Sequence, residues 1–284
     1  MLIERIKTAL ILAFGCVIIS TQSSVSTFSF LISGSMFFVA WEWAALAGFS
    51  NRSAKVIYAS CFISIISFLY LKLGLAPGSA QINEELSLAI LFVGVCFWIT
   101  ATFFLYHYPK YYHLWNGRFK LSIVGLLAVV PAWVGMILLK YFNSSGYLLL
   151  LIVILVASTD VGAYFIGRNF GRRKLAENLS PNKTWEGVWG GAVVCMLMTI
   201  LLMPLTNLLI TDVNGINKLS SVVVVFSVIF FSTVGDLLES MLKRNQGIKD
   251  SGDLLPGHGG ILDRIDGLLA VAPCFTLILF AITR

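Results

Sequence analysis

The sequence predicts an all-α, polytopic integral membrane protein with about nine transmembrane helices and a cytoplasmic N-terminus. Three observations carry that prediction. Mean hydropathy is +0.88, and only 12% of the 284 residues are charged, about half the share usual in soluble proteins. Apolar runs of roughly 15–24 residues recur along the whole length, each about long enough to cross ~30 Å of hydrocarbon at 1.5 Å per residue. Lys and Arg also segregate by loop, with sixteen on one side and four (Lys72, Lys140, Lys218 and Arg284) on the other, as the positive-inside bias requires.

The apolar runs fall at 8–22, 27–48, 53–73, 86–107, 120–139, 147–167, 187–209, 219–242 and 267–283. The first follows the charged start MLIERIK, as in a secretory signal, but no small-x-small cleavage site follows it; an uncleaved helix is expected. In the second, Trp41-Glu42-Trp43 suggests an interfacial aromatic belt with a snorkelling carboxylate. His107 and His113 lie in the Tyr-rich loop YHYPKYYH, expected at headgroup level. Residues 1–145 otherwise hold little that is reactive and are expected to form scaffold helices, a dimer face or a lipid-facing wall. Residues 146–284 hold the long polar loops, 168–186 and 243–266, and with them the expected catalytic region. With nine spans, the N-terminus and both loops share the basic, cytoplasmic side, and the C-terminus lies opposite. The net charge of +6 thus gathers on one face, suited to anionic headgroups or to a polyanionic substrate. Five cysteines stand singly, with no CxxC or Cys/His cluster, which excludes a disulfide framework or zinc site.

Carboxylates inside apolar helices are costly and mark functional positions. Asp160, about seven residues from the cytoplasmic end of the sixth span, and Asp236, in the eighth, lie at similar depth. Asp263 and Asp266 immediately precede the ninth. Three helices thus bring carboxylates toward one level, where a bound cation would relieve their repulsion. Asp236, Glu239, Ser240 and Lys243 occupy one helix face, with Glu239 and Lys243 spaced as an i,i+4 pair; no basic residue lies one turn from Asp236. Oxygen-only donors at Asp236, Asp263 and Asp266 point to Mg²⁺ or a similar hard cation.

The 243–266 loop adds Lys243, Arg244, Lys249 and Arg264 for phosphates. It also carries Asp250, His258 and the glycines Gly257, Gly259 and Gly260, whose backbone can fold around an anion. Lys183 and Thr184 precede the seventh helix, whose N-terminus offers further N–H donors. Basic groups, carboxylates and a Gly-rich turn are the parts of a phosphoryl- or nucleotidyl-transfer site. A secondary transporter using Asp160, Asp236 and Glu239 as a cation relay is the alternative from another class.

At these residues the chain closely resembles the phosphatidate cytidylyltransferase (CDP-diacylglycerol synthase) family. The resemblance rests on Ser240, Lys243-Arg244, Lys249-Asp250, Gly252, His258-Gly259-Gly260 and Asp263-Arg264-Ile265-Asp266. It extends upstream through Gly235–Glu239, the SPNKTWEG segment and Thr159–Tyr164, while Asn182 stands where Gly or Lys is more usual. It implies transfer of CMP from CTP to phosphatidate, giving CDP-diacylglycerol and pyrophosphate for phospholipid biosynthesis. A cytidylyltransferase or kinase acting on an isoprenoid lipid is the nearer alternative. It also implies Mg²⁺ dependence, with room for a neighbouring monovalent cation such as K⁺. The expected setting is the inner membrane, multi-pass, with the site facing the cytoplasm. The expected partners are CTP, phosphatidate, the lipid bilayer and a second copy in a homodimer, with no nucleic acid. Asp236, Asp263 and Asp266 are the expected metal ligands, with Lys243 and His258 also catalytic. Asp160, Lys183, Thr184, Ser240, Arg244, Lys249, Asp250, Gly259, Gly260 and Arg264 are the expected substrate contacts.

Overall fold

A computed structural model of the chain describes residues 2–76, 81–209 and 218–283. Its helices are α1 (Leu2–Gln22), α2 (Val25–Leu46), α3 (Arg52–Lys72), α4 (Glu84–Tyr106), the short α5 (Tyr112–Trp115), α6 (Arg118–Phe142), α7 (Tyr147–Phe170), α8 (Trp185–Leu209), α9 (Lys218–Asn245) and α10 (Leu262–Thr283). Among the described residues, eight helices (α2–α4 and α6–α10) are long and apolar enough to cross a membrane, and α1 carries the shorter apolar stretch Ile6–Gln22. Each predicted span corresponds to one of these nine helices.

Local chemistry starts several of them. Ser24, Asn51 and Asn83 accept hydrogen bonds from the main-chain N–H of Thr27, Ser53 and Leu86, which satisfies donors that the first turn leaves free. Asn143 does the same for Tyr147 of α7 (2.9 Å). α6 is buried along most of its length and packs against α2, α4 and α10. One continuous apolar core draws on helices from both sides of position 145. Large apolar side chains such as Phe68, Phe92, Trp189 and Leu201 remain outside it, as a lipid-facing surface requires.

Contacts fix the sense of the bundle. Thr8 donates to the Pro256 carbonyl (3.1 Å), and Tyr108 donates to Asn245 (3.0 Å). Glu42 accepts from the N–H of Leu262 (2.8 Å). These contacts bring the start of α1, the ends of α2, α4 and α9, and the start of α10 to one end. At the other end, fully buried Lys140 donates to the carbonyls of Ser20 (2.6 Å) and Ser144, holding a cation against helix C-termini. The N-terminal end of α1 and both large loops thus lie together, and α10 leads away from them. Arg284, one of the four basic residues expected on the far side, lies outside the described residues.

Four local expectations are corrected. α7 continues to Phe170, so Asp160 sits ten residues from its end, deeper than predicted. α10 begins at Leu262, so Asp263 and Asp266 belong to its first turns instead of preceding it. Residues 168–186 hold an antiparallel hairpin of β1 (Lys174–Ala176) and β2 (Ser180–Thr184), built by side-chain tethers invisible to periodicity. Trp43 and Glu42 are buried instead of forming an interfacial belt; the Trp43 indole donates to the Leu121 carbonyl (2.9 Å).

α9 and α10 meet closely at the level of the carboxylates. A Cβ added at Gly235 would lie 2.3 Å from the Asp266 carbonyl oxygen, a distance that only a bare glycine tolerates. The arrangement predicts opposite reporter behaviour at two places. A reporter inserted in the 110–118 loop should lie on the same side as one placed near the N-terminus, and a reporter fused after the last residue should lie across the membrane. Equal accessibility of the loop and C-terminal reporters would contradict the odd number of crossings.

Candidate active site

The β1–β2 hairpin carries Lys183 to α9. Its base is closed by Glu186 in the first turn of α8, which accepts from the main-chain N–H of Arg172 (3.0 Å) and Arg173 (3.1 Å). Thr184 caps α8 by accepting from the Gly187 N–H (3.1 Å), and Leu179 is buried beneath the turn. On this frame the Lys183 ammonium pairs with the Asp236 carboxylate. Around the pair is a cavity of about 310 Å³ whose polar wall includes Asp160, Lys183, Thr184, Ser232 and Asp236. Ala163, Leu175 and Val188 supply apolar wall in the same space.

Asp266 approaches the same cluster from α10, within electrostatic reach of Asp236, Lys183 and Asp160. One of its oxygens accepts from the Gly267 N–H (2.8 Å). Carboxylates from α7, α9 and α10 therefore converge around one lysine, as their depth in the sequence suggested. The partner missing from α9 itself comes from the hairpin. The Ser240 hydroxyl makes a longer contact to Asp236 (3.4 Å).

Asp263 turns toward the loop instead. Its Oδ1 pairs with Lys243 (2.7 Å), which also holds Glu239 (2.7 Å). Its Oδ2 accepts from the Ser251 N–H (2.9 Å), the Ser251 hydroxyl (3.0 Å) and the Gly260 N–H (2.8 Å). The expected i,i+4 pair of Glu239 and Lys243 thus exists, extended into a triad. Both Asp263 oxygens are already engaged. Among the described residues, no three Asp, Glu, His or Cys side chains close into a metal shell.

Beyond this triad the loop forms a second, more polar cavity of about 560 Å³, lined by Lys249, Asp250, Asp253, His258, Gly259 and Arg264 among others. Arg264 donates to the His258 carbonyl through Nε (3.2 Å) and Nη2 (2.6 Å), fixing both residues at its edge. The His258 Nδ1 is buried and unpaired within the protein. Arg244 is exposed at the end of α9 and lines neither cavity. The arrangement couples an acid-rich cavity within the bundle to a polar, Gly-rich one of mixed charge through a ladder of ion pairs. That is suited to holding two anionic groups together, with positioning and charge neutralisation as the main tools.

A family model described as the cytidylyltransferase family matches residues 3–282. The chain belongs to the cytidylyltransferase family. A phosphatidate cytidylyltransferase of Pseudomonas aeruginosa is 38% identical over 99% of this chain and 98% of that protein. One from Haemophilus influenzae is 34% identical over 84% of this chain and 85% of its own. One from Bacillus subtilis is 39% identical over 58% and 62% respectively. The resemblance carried by residues 240–266 therefore holds across the whole chain. Membership in a cytidylyltransferase family sets the transporter reading aside.

Sequence reasoning missed Glu42, Ser232, Ser251 and Glu186 in this chain. Glu42 was visible as an intramembrane carboxylate, but its flanking tryptophans pointed to an interface. The part-buried Lys243–Asp263 pair also changes an expectation about stability. Repulsion among clustered carboxylates suggests that Asp263→Asn should leave stability intact or raise it. The geometry predicts the reverse, because the substitution leaves Lys243 with a single charged partner and turns an amide NH₂ toward the donors of Ser251 and Gly260. Breaking a part-buried pair falls between the buried and exposed cases, at about 2 kcal/mol, so thermal unfolding in detergent should fall by about 5 °C. Lys243→Met should lower it too, and the double variant should lose less than the sum. Strict additivity, or an Asp263→Asn variant as stable as wild type, would contradict the pairing.

Proposed function

We propose that the protein transfers CMP from CTP to phosphatidate, releasing pyrophosphate and forming CDP-diacylglycerol for phospholipid biosynthesis. The observation that carries this reading is the pairing of Lys183 with Asp236 in a cavity that also admits Asp160 and lies beside Asp266. The full-length similarity to proteins named phosphatidate cytidylyltransferase supports the choice of substrates. The site would face the cytoplasm of a bacterial inner membrane, where CTP is soluble and the lipid headgroup is at hand.

In the reaction, an oxygen of the phosphatidate phosphate attacks the α-phosphorus of CTP. The bond from that phosphorus to the α–β bridging oxygen breaks, and pyrophosphate leaves with the electron pair. The attacking phosphate is already ionised near neutral pH, so the protein needs to align and neutralise more than to remove a proton. Lys183, at the mixed polar and apolar cavity, suits the lipid phosphate. Lys249, His258 and Arg264, at the wider polar cavity, suit the triphosphate, with glycine N–H groups beside them. Asp160, Asp236 and Asp266 offer oxygen donors of the hard kind Mg²⁺ takes, with one lysine among them; among the described residues they do not close into a shell by themselves, so substrate phosphates would have to supply the remaining oxygens. Asp263 would have to release Lys243 or its loop donors to join them. When bound, Mg²⁺ would polarise the α-phosphate and stabilise the departing pyrophosphate.

Purified protein given CTP, phosphatidic acid and Mg²⁺ is expected to form a CDP-lipid and pyrophosphate, and EDTA should abolish both. Lys183→Met and Asp236→Asn should each lower kcat at least ~100-fold, several kcal/mol at about 1.4 kcal/mol per decade. Turnover of an isoprenoid phosphate in place of phosphatidate would keep the chemistry and overturn the acceptor. Activity indifferent to EDTA would overturn the metal.

A further inference from the structure

One buried carboxylate at the catalytic end comes from the N-terminal half, and no step above uses it. Glu42, near the end of α2, is 1% exposed. A carboxylate at this depth persists only where donors compensate its lost hydration. They come from the start of α10. Ile261, just before that helix, has no side-chain acceptor to cap it, so the first N–H groups of α10 need an outside partner. Glu42 Oε1 accepts from the Ile261 N–H (3.0 Å) and Oε2 from the Leu262 N–H (2.8 Å). The Ser251 hydroxyl also points to Oε2 (3.3 Å).

The loop is shaped to admit this side chain. A Cβ at Gly252 would lie 2.7 Å from Glu42 Oε1, and one at Gly260 would lie 2.6 Å from Oε2. Asp263 grips Ser251 and Gly260 from the α10 side. Two carboxylates, from α2 and α10, thus hold the loop between them, and Ser251 touches both.

We propose that Glu42 is a positioning residue for the transfer reaction. From the N-terminal half it fixes the 246–261 loop, and so sets Lys249, His258 and Arg264 toward the nucleotide phosphates. This rests on the reading of the loop cavity as the triphosphate side. Glutamine cannot replace Glu42, because both oxygens accept and an amide NH₂ would meet an N–H donor.

The test is Glu42→Gln in the full-length protein, read by hydrogen exchange without substrate and by steady-state kinetics. Exchange in peptides covering 255–262 should accelerate at least ~10-fold, as expected from losing a hydrogen bond to a charged acceptor. Peptides of α7 and α8 should be unchanged. The KM for CTP should rise at least ~10-fold while that for phosphatidate stays within about twofold. Uniform acceleration along the chain, unchanged exchange in the loop, or equal shifts in both KM values would overturn the proposal. If Glu42→Gln does not fold, Ser251→Ala must give the same pattern at smaller amplitude, and its absence there is equally decisive. Wild-type protein that makes no CDP-lipid would defeat the substrate reading, while the exchange result would still decide whether Glu42 clasps the loop.

Discussion

The ion pair between Lys183 and Asp236 joins two segments that the chain keeps far apart, the hairpin before α8 and the inner end of α9. Around it the cost of charge in an apolar bundle governs the rest. Asp160, Asp236, Asp266, Glu239 and Asp263 form a connected electrostatic group, and Lys183 and Lys243 are the lysines set among them. Moving such charges out of water costs several kcal/mol each, and pairing recovers that only where geometry is good. The hairpin, its clasp by Glu186 and the close α9–α10 contact at Gly235 are the means by which the fold supplies that geometry.

The excess of carboxylates divides the site by task. Asp263 has its oxygens filled by Lys243, Ser251 and Gly260 and holds the Gly-rich loop. Asp160, Asp236 and Asp266 keep oxygen donors near the cavity, where the proposed divalent cation would offset their charge together with that of the substrate phosphates. A single acidic residue could not both anchor the loop and meet a metal. Asp263 and Asp266, three residues apart, are separated in this way by the first turn of α10, one facing the loop and the other the bundle.

The helices and their alternation were legible because hydrocarbon thickness imposes a run length that composition alone reveals. The Gly-rich loop and its charges were legible because they interrupt those runs. The partner of Asp236 was not, since local spacing reports helix neighbours and Lys183 arrives from another element. Glu42 was hidden for a related reason. Its donors are main-chain N–H groups more than two hundred residues away, and an amide leaves no mark in the sequence of side chains. The hairpin escaped notice because its three- and five-residue strands are held by the Glu186 contacts and a capping threonine instead of an alternating pattern.

The contact between Lys183 and Asp236 can be tested most directly by cross-linking in native membranes. Cysteines replace these two residues in a variant lacking the five native cysteines, with a protease site inserted between α8 and α9. After treatment with a short thiol-reactive linker and cleavage, the two fragments should remain joined in a denaturing gel. Fragments that separate although both cysteines have reacted would contradict the convergence on which the site depends.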